Sequence, residues 1–136
     1  METIDIELSL VKDPVPKQSA RFTKTGFAYQ PHRIRHYQDM LIRQITSKVS
    51  KLAVTTPIDG PLSVELMFYF KLPKSKRITQ RHVSRPDVDN LAKPVLDSMQ
   101  KGGLIYNDSQ ICELKLSKYY SNSEPCIFIR LWSING

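Results

Sequence analysis

No apolar run in this 136-residue chain approaches the ~20 residues that a membrane-spanning helix needs, so a transmembrane role is not written in it. The N-terminus does not read as a cationic leader either, because METIDIELSL carries Glu2, Asp5 and Glu7 in an alternating pattern. The cytoplasm is therefore the expected compartment. Only two cysteines occur, Cys112 and Cys126, with no CxxC spacing, and the three histidines (His32, His36, His82) are scattered along basic segments. That composition argues against a zinc centre and leaves the thiols as a buried, free pair. Internal repeats and low-complexity tracts are absent. Acidic residues are missing altogether from two stretches, Pro14 to His36 and Lys71 to Arg85.

What is present is positive charge: 20 Lys and Arg against 13 Asp and Glu, a formal net charge of +7. Such a surface attracts phosphate backbones or anionic membranes. The first acid-free stretch holds Lys17, Arg21, Lys24, Arg33 and Arg35; the second holds Lys71, Lys74, Lys76, Arg77, Arg81 and Arg85. Both read as loops, and together they favour contact with nucleic acid. Phe22 and Tyr29 lie among the cations of the first, where aromatics either stack on bases or anchor the loop.

At this length one domain, residues 1–136, is expected. Ile4, Ile6, Leu8 and Leu10 alternate with polar residues, the period of a half-buried strand, and Asp13-Pro14-Val15-Pro16 stops it. Tyr37, Leu41, Ile45, Val49 and Leu52 recur at helical spacing, predicting an amphipathic helix over about 32–52. Leu62, Val64, Leu66, Phe68 and Phe70 share one face of a second strand. A second helix is expected to start at Asn90 or Leu91, with Asn90 as N-cap and Pro94 near its first turn. Its stripe is Leu91, Val95, Leu96 and Met99, and Gly102-Gly103 ends it. Two strands follow, about 111–120 and 125–134. The last, apolar on both faces, belongs in the centre of the sheet. The order β-α-β-α-β-β predicts an α+β domain with two helices on one mixed sheet.

The chemistry is concentrated in RPDVDNLAKPVLDSMQKGGLIYNDSQI, residues 85–111. It gathers Asp87, Asp89, Asn90, Lys93, Asp97 and Asp108 in an otherwise basic chain. If 85–89 is extended, Asp87 and Asp89 project to the same side. Lys93 then lies in the first helical turn, and Asp97 one turn further on can pair with it. The glycine turn can return Asp108 towards Asp87 and Asp89. Three carboxylates converging on one point suit Mg²⁺, which takes oxygen ligands and binds phosphate oxygens directly. Lys93 is suited to meet a phosphate or to hold a carboxylate. Taken singly, Asp87 is also suited to a loop or a helix cap, Asp108 to a turn or cap, and Asp97 to a supporting ion pair.

The run R-P-D-x-D-N-L-x-K-x-x-x-D, followed after a helix and glycine turn by N-D-S-Q-I, resembles the RusA-type Holliday junction resolvases of bacteria and their phages. P-V-P-K-Q-S-A-R is similar to that family's basic Pro-rich loop. The resemblance implies a homodimeric α+β endonuclease that binds four-way DNA junctions and makes paired nicks using Mg²⁺, in DNA recombination and repair. It assigns Asp87, Asp89 and Asp108 as metal-binding catalytic acids and Lys93 as an essential lysine; Asn90 as cap and Asp97 as partner of Lys93 are supporting residues by their spacing alone. Where the family often has two consecutive acids, this chain has Asn107-Asp108, and Asp108 is taken as the functional one. Lys17, Arg21, Lys74, Lys76, Arg77, Arg81 and Arg85 are the expected DNA contacts. Two other readings stay open: a non-catalytic DNA-binding module whose acids are structural, and a metal-dependent hydrolase of small phosphates.

Overall fold

Alternation of apolar residues builds the sheet. In β1 (Ile4–Ser9), Ile6 and Leu8 point inward, and in β4 (Leu62–Lys71) every second residue from Leu62 to Phe70 is buried. A computed structural model describes residues 3–17, 21–29 and 31–134, with the backbone alone at 21 and 29. Four strands form one mixed sheet in the order β1-β6-β4-β5, where β5 is Ile111–Ser121 and β6 is Cys126–Ser133. The apolar β6 takes the central place its sequence predicts, antiparallel to both β1 and β4. β5 runs parallel to β4 on the edge, and the helical crossover between them carries the acidic motif.

Two helices, α1 (His32–Val49) and α2 (Val88–Lys101), cover the sheet. Ile34, Tyr37, Leu41 and Ile45 of α1 join Leu91, Val95 and Met99 of α2 in one core with Leu66, Phe68, Ile127 and Ile129. The helices approach closely at Gly102. A Cβ there would lie 2.7 Å from Cγ2 of Ile45, so only glycine fits. Gly103, at φ +82°, turns the chain out of the helix, so the two glycines divide the expected stop between them.

Three details differ from the sequence expectation. The stretch read as a loop after β1 contains a short hairpin, β2 (Arg21–Phe22) and β3 (Ala28–Tyr29). Its Thr23–Gly26 turn closes because Gly26 supplies a φ of +89°. The same basic stretch also includes the first turn of α1. Finally, the thiols are not a buried pair: Cys112 is exposed on the edge strand and Cys126 is half-buried. An edge strand leaves its outer residues uncovered whatever their polarity.

Candidate active site

Helix α2 begins earlier than the sequence suggests, at Val88, with Asp87 at the N-cap in an extended conformation (φ −71°, ψ 145°) and no side-chain capping bond. Asn90 is thus inside the first turn and is not the cap. The expectation that Asp87 and Asp89 share one side of an extended segment is corrected, because Asp89 is already helical. It lies in the first turn, where a carboxylate is favoured by the helix dipole. The early start is possible because of how Pro94 is accommodated. Proline has no N–H to give to the carbonyl four residues back, which is that of Asn90. The Lys17 backbone N–H, arriving from the Pro-rich loop, donates to that carbonyl at 2.6 Å. A proline well inside the helix is therefore tolerated by a bond from elsewhere in the chain, which no local rule predicts.

With the helix starting at Val88, Lys93 falls in the second turn, and Asp89, Lys93 and Asp97 follow at four-residue spacing along one stripe. After Gly103 the chain runs back through buried Leu104 and Ile105, fixed by a bond from Ile58 N–H to the Leu104 carbonyl at 2.9 Å. A 3₁₀ turn, Asp108–Gln110, follows. Asn107 caps it, accepting from Ser109 N–H at 2.9 Å, so the capping role belongs to Asn107 and not to Asp108. Gln110 fixes the turn. Its Nε2 donates to the carbonyls of Ile58 and Gly60 (both 2.9 Å), and its Oε1 accepts from the N–H groups of Tyr106 (2.8 Å) and Asn107 (2.9 Å). The Asp108 N–H donates to Gln100 Oε1 at 3.1 Å, joining the turn to α2.

This brings the Asp108 carboxylate 3.2 Å from the Lys93 ammonium, which also pairs with Asp97 at 3.1 Å. The hydrogen bonds that Lys93 donates to Asp97 and then to Asp108 raise its pKa, so the group is a cation throughout the neutral range. Asp87 and Asp89 are exposed, and neither has an ion-pair partner among the described residues. The structure thus unites Lys93, Asp97 and Asp108. It does not bring Asp87, Asp89 and Asp108 into one group: among the described residues no three His, Cys, Asp or Glu side chains gather as a metal-holding cluster. The chemistry of the donors still fits Mg²⁺, since all three are carboxylates and two carry no competing cation.

The second basic stretch is a run of turns between β4 and α2, with Lys74, Lys76, Arg77, Arg81 and Arg85 exposed. Two side chains hold it. His82 is buried, its ring 4.2 Å from that of Phe70 and 4.9 Å from that of Tyr120. Lys118 Nζ donates to the carbonyls of Ser84 (2.8 Å) and Pro86 (3.0 Å). Burial first, and then the nearby Lys118 charge, push the His82 pKa down. Lys17 is exposed beside the start of α2, while the Arg21 side chain lies outside the described residues. Sequence reasoning missed Gln100, Gln110, His82 and Lys118. Gln110 had a signal, its place three residues after Asn107 in a capping box, whereas His82 and Lys118 act only through tertiary contacts.

Comparison with known proteins gives a consistent answer. The family model described as Endodeoxyribonuclease RusA matches residues 12–132. A protein of Bacillus subtilis (strain 168), described as uncharacterized protein YqaN, is 35% identical over 93 residues, covering 60% of this chain and 63% of its own. The crossover junction endodeoxyribonuclease RusA of Aquifex aeolicus (strain VF5) is 28% identical over 131 residues, covering 96% of this chain and 93% of its own. The crossover junction endodeoxyribonuclease of Lactococcus phage r1t is 40% identical over 58 residues, covering 43% of this chain and 44% of its own. The match thus spans less than two thirds of two of these relatives and nearly all of the third.

Proposed function

The chain belongs to the endodeoxyribonuclease RusA family, and from that premise we propose that it is a Mg²⁺-dependent endonuclease resolving Holliday junctions by paired, symmetric nicks. Residues 1–136 act as one such domain, working as a homodimer on four-way DNA junctions during recombination and repair in the cytoplasm. A two-fold dimer presents two sites to a symmetric junction, from which paired nicks follow. The described helices include none long and apolar enough to cross a membrane.

One observation carries the reading. A lysine is held against Asp108 on the helix that bears Asp89, in a basic surface. Asp87, Asp89 and Asp108 are the residues that would hold Mg²⁺. When bound, the ion supplies charge neutralisation at the scissile phosphate and an activated water. Lys93 keeps its proton at neutral pH and offers a positive charge to the phosphate oxygens, while Asp97 orients it from one turn away. The exposed cations of the loop between β4 and α2 hold the DNA arms, and Lys17 and Arg21 add to them. The competing reading, in which the acids are purely structural, draws on the same Lys93 pairs.

Cleavage of a synthetic four-way junction, with Mg²⁺ and with EDTA, separates the two. Asp89→Asn keeps the volume and removes the charge. It is expected to abolish nicking while leaving junction binding in EDTA close to wild type. Wild-type nicking by the variant rejects the site assignment, and binding without any nicking by the wild-type protein supports the structural reading.

A further inference from the structure

The two acid-free basic stretches are separated by thirty-four residues of sequence, yet they meet at one pocket of about 490 Å³. Arg33 comes from the first turn of α1, Lys71 from the end of β4, and Arg85 from the loop that runs into Asp87. All three are exposed, and none has an ion-pair partner among the described residues. The one acid lining the pocket, Asp13, is engaged by backbone: its Oδ1 accepts from the Lys71 N–H at 2.8 Å. Pro14, Phe70, Tyr120 and the His82 ring give the pocket an apolar floor.

The start of α1 adds to the positive field. Pro31 at the N-cap provides no side-chain bond to the helix, and no acid occupies the first turn. The first N–H groups of an eighteen-residue helix therefore have no acceptor from a cap, at the end where the dipole is positive. Cations from three elements, an uncapped helix start and an apolar floor together match an anion attached to an apolar body. A phosphate with its deoxyribose is such a group. Arg85 and Pro86 lie on the pocket wall directly before Asp87, so a phosphate there sits next to the acidic motif on the DNA path.

We propose that this pocket seats one backbone phosphate of the DNA substrate, with its deoxyribose, using Arg33, Lys71 and Arg85. This rests on the nuclease reading and extends it to a second binding point, one that fixes the strand beside the acids. The ligand touches the cations with its oxygens and the Pro14 and aromatic floor with its sugar.

The test is binding of a fluorescent four-way junction in EDTA, read by anisotropy over a range of salt. Arg33→Gln is expected to raise Kd about tenfold and to lower the slope of log Kd against log salt by about one, the signature of one lost phosphate contact. Ser84→Trp, which fills the pocket from its rim without removing charge, is expected to weaken binding at least fivefold with an unchanged slope per remaining contact. Lys51→Gln, an exposed cation just past the far end of α1, is expected to leave both quantities at wild type. Melting of each variant checks that it is folded. Wild-type Kd and slope in both Arg33→Gln and a folded Ser84→Trp overturn the pocket, whatever the nicking assay says. Loss of nicking in Asp89→Asn with wild-type binding in Arg33→Gln leaves the nuclease reading standing without it.

Discussion

Two pairs of carboxylates lie around one helix and live under opposite conditions. Asp97 and Asp108 share the Lys93 ammonium at 3.1 and 3.2 Å, whereas Asp87 and Asp89, at the start of the same helix, have no ion-pair partner among the described residues. The first pair is half compensated, two carboxylates sharing one ammonium. The second leaves its charge facing solvent in a chain of net charge +7, where it has to be satisfied by water, by the dipole of α2 or by a cation from outside. The contrast divides the motif into acids that share a cation of the protein and acids whose charge faces solvent, and the second group is where the proposed ion would bind.

The sharpest way to break that division is within the half-compensated pair, because both acids touch the same lysine and only one is assigned to catalysis. Asp108→Asn is expected to lower junction cleavage about 10²–10³-fold, the usual cost of removing one charged group aimed at the reacting centre. Asp97→Asn is expected to lower it less than about tenfold, since it affects only how Lys93 is oriented. Single-turnover rates on a labelled junction measure both, and equal losses would erase the distinction. Next in size is Gln110→Ala. Its amide makes four hydrogen bonds that hold the turn bearing Asp108, and deleting it is expected to cost about 1–3 kcal/mol by denaturant unfolding, together with a slower nicking rate.

Melting without metal probes the two pairs directly. Asp108→Asn removes a half-exposed ion pair and is expected to lower stability by less than about 1 kcal/mol. Asp87→Asn or Asp89→Asn removes a solvent-facing charge at the positive end of the α2 dipole and is expected to lower metal-free stability by no more than about 1 kcal/mol, while added Mg²⁺ stabilises the wild type more than either variant. A loss well beyond that in both variants, with no extra gain from Mg²⁺ in the wild type, would make these acids structural. The smallest effect concerns His82, which is buried near the Lys118 cation, with Asp13 opposing only in part. Its pKa is below the ordinary 6.5 when folded, so between the folded and unfolded values the unfolded chain binds the extra proton. Stability should therefore fall as the pH drops below about 6.5 and be flat in this respect above it. His82→Phe should flatten that part of the Tm–pH curve.

Much of this was legible in the sequence, and the reason is periodicity. The alternation in β4, the helical stripe of α1 and the doubly apolar β6 each name their own environment, so the sheet-and-helix frame and the central position of β6 followed from local pattern. The pairing of Lys93 with Asp97 was legible too, being a matter of four-residue spacing. The start of α2 was not. It depends on a bond between Lys17 and Asn90, residues far apart in the chain, and without that bond Pro94 argues for a later start. The approach of Asp108 to Lys93 was equally hidden, because Gln100 and Gln110 set the path after the glycines by contacts with the opposite side of the turn. The convergence of Arg33, Lys71 and Arg85 on one pocket is likewise a property of topology alone.

The bond between Lys17 and Asn90 has a consequence for what this chain can tolerate. Position 17 serves the helix through its main chain: any residue with an amide hydrogen can make that bond, whatever its side chain. Proline is the single residue forbidden there, although Pro14 and Pro16 stand just before it. Lys17→Ala should therefore keep the fold and lose only charge, whereas Lys17→Pro should strand the Asn90 carbonyl and loosen the loop from the helix. Two prolines, one supplied and one excluded, thus form a covariation rule: a relative without proline at 94 is released from the restriction at 17.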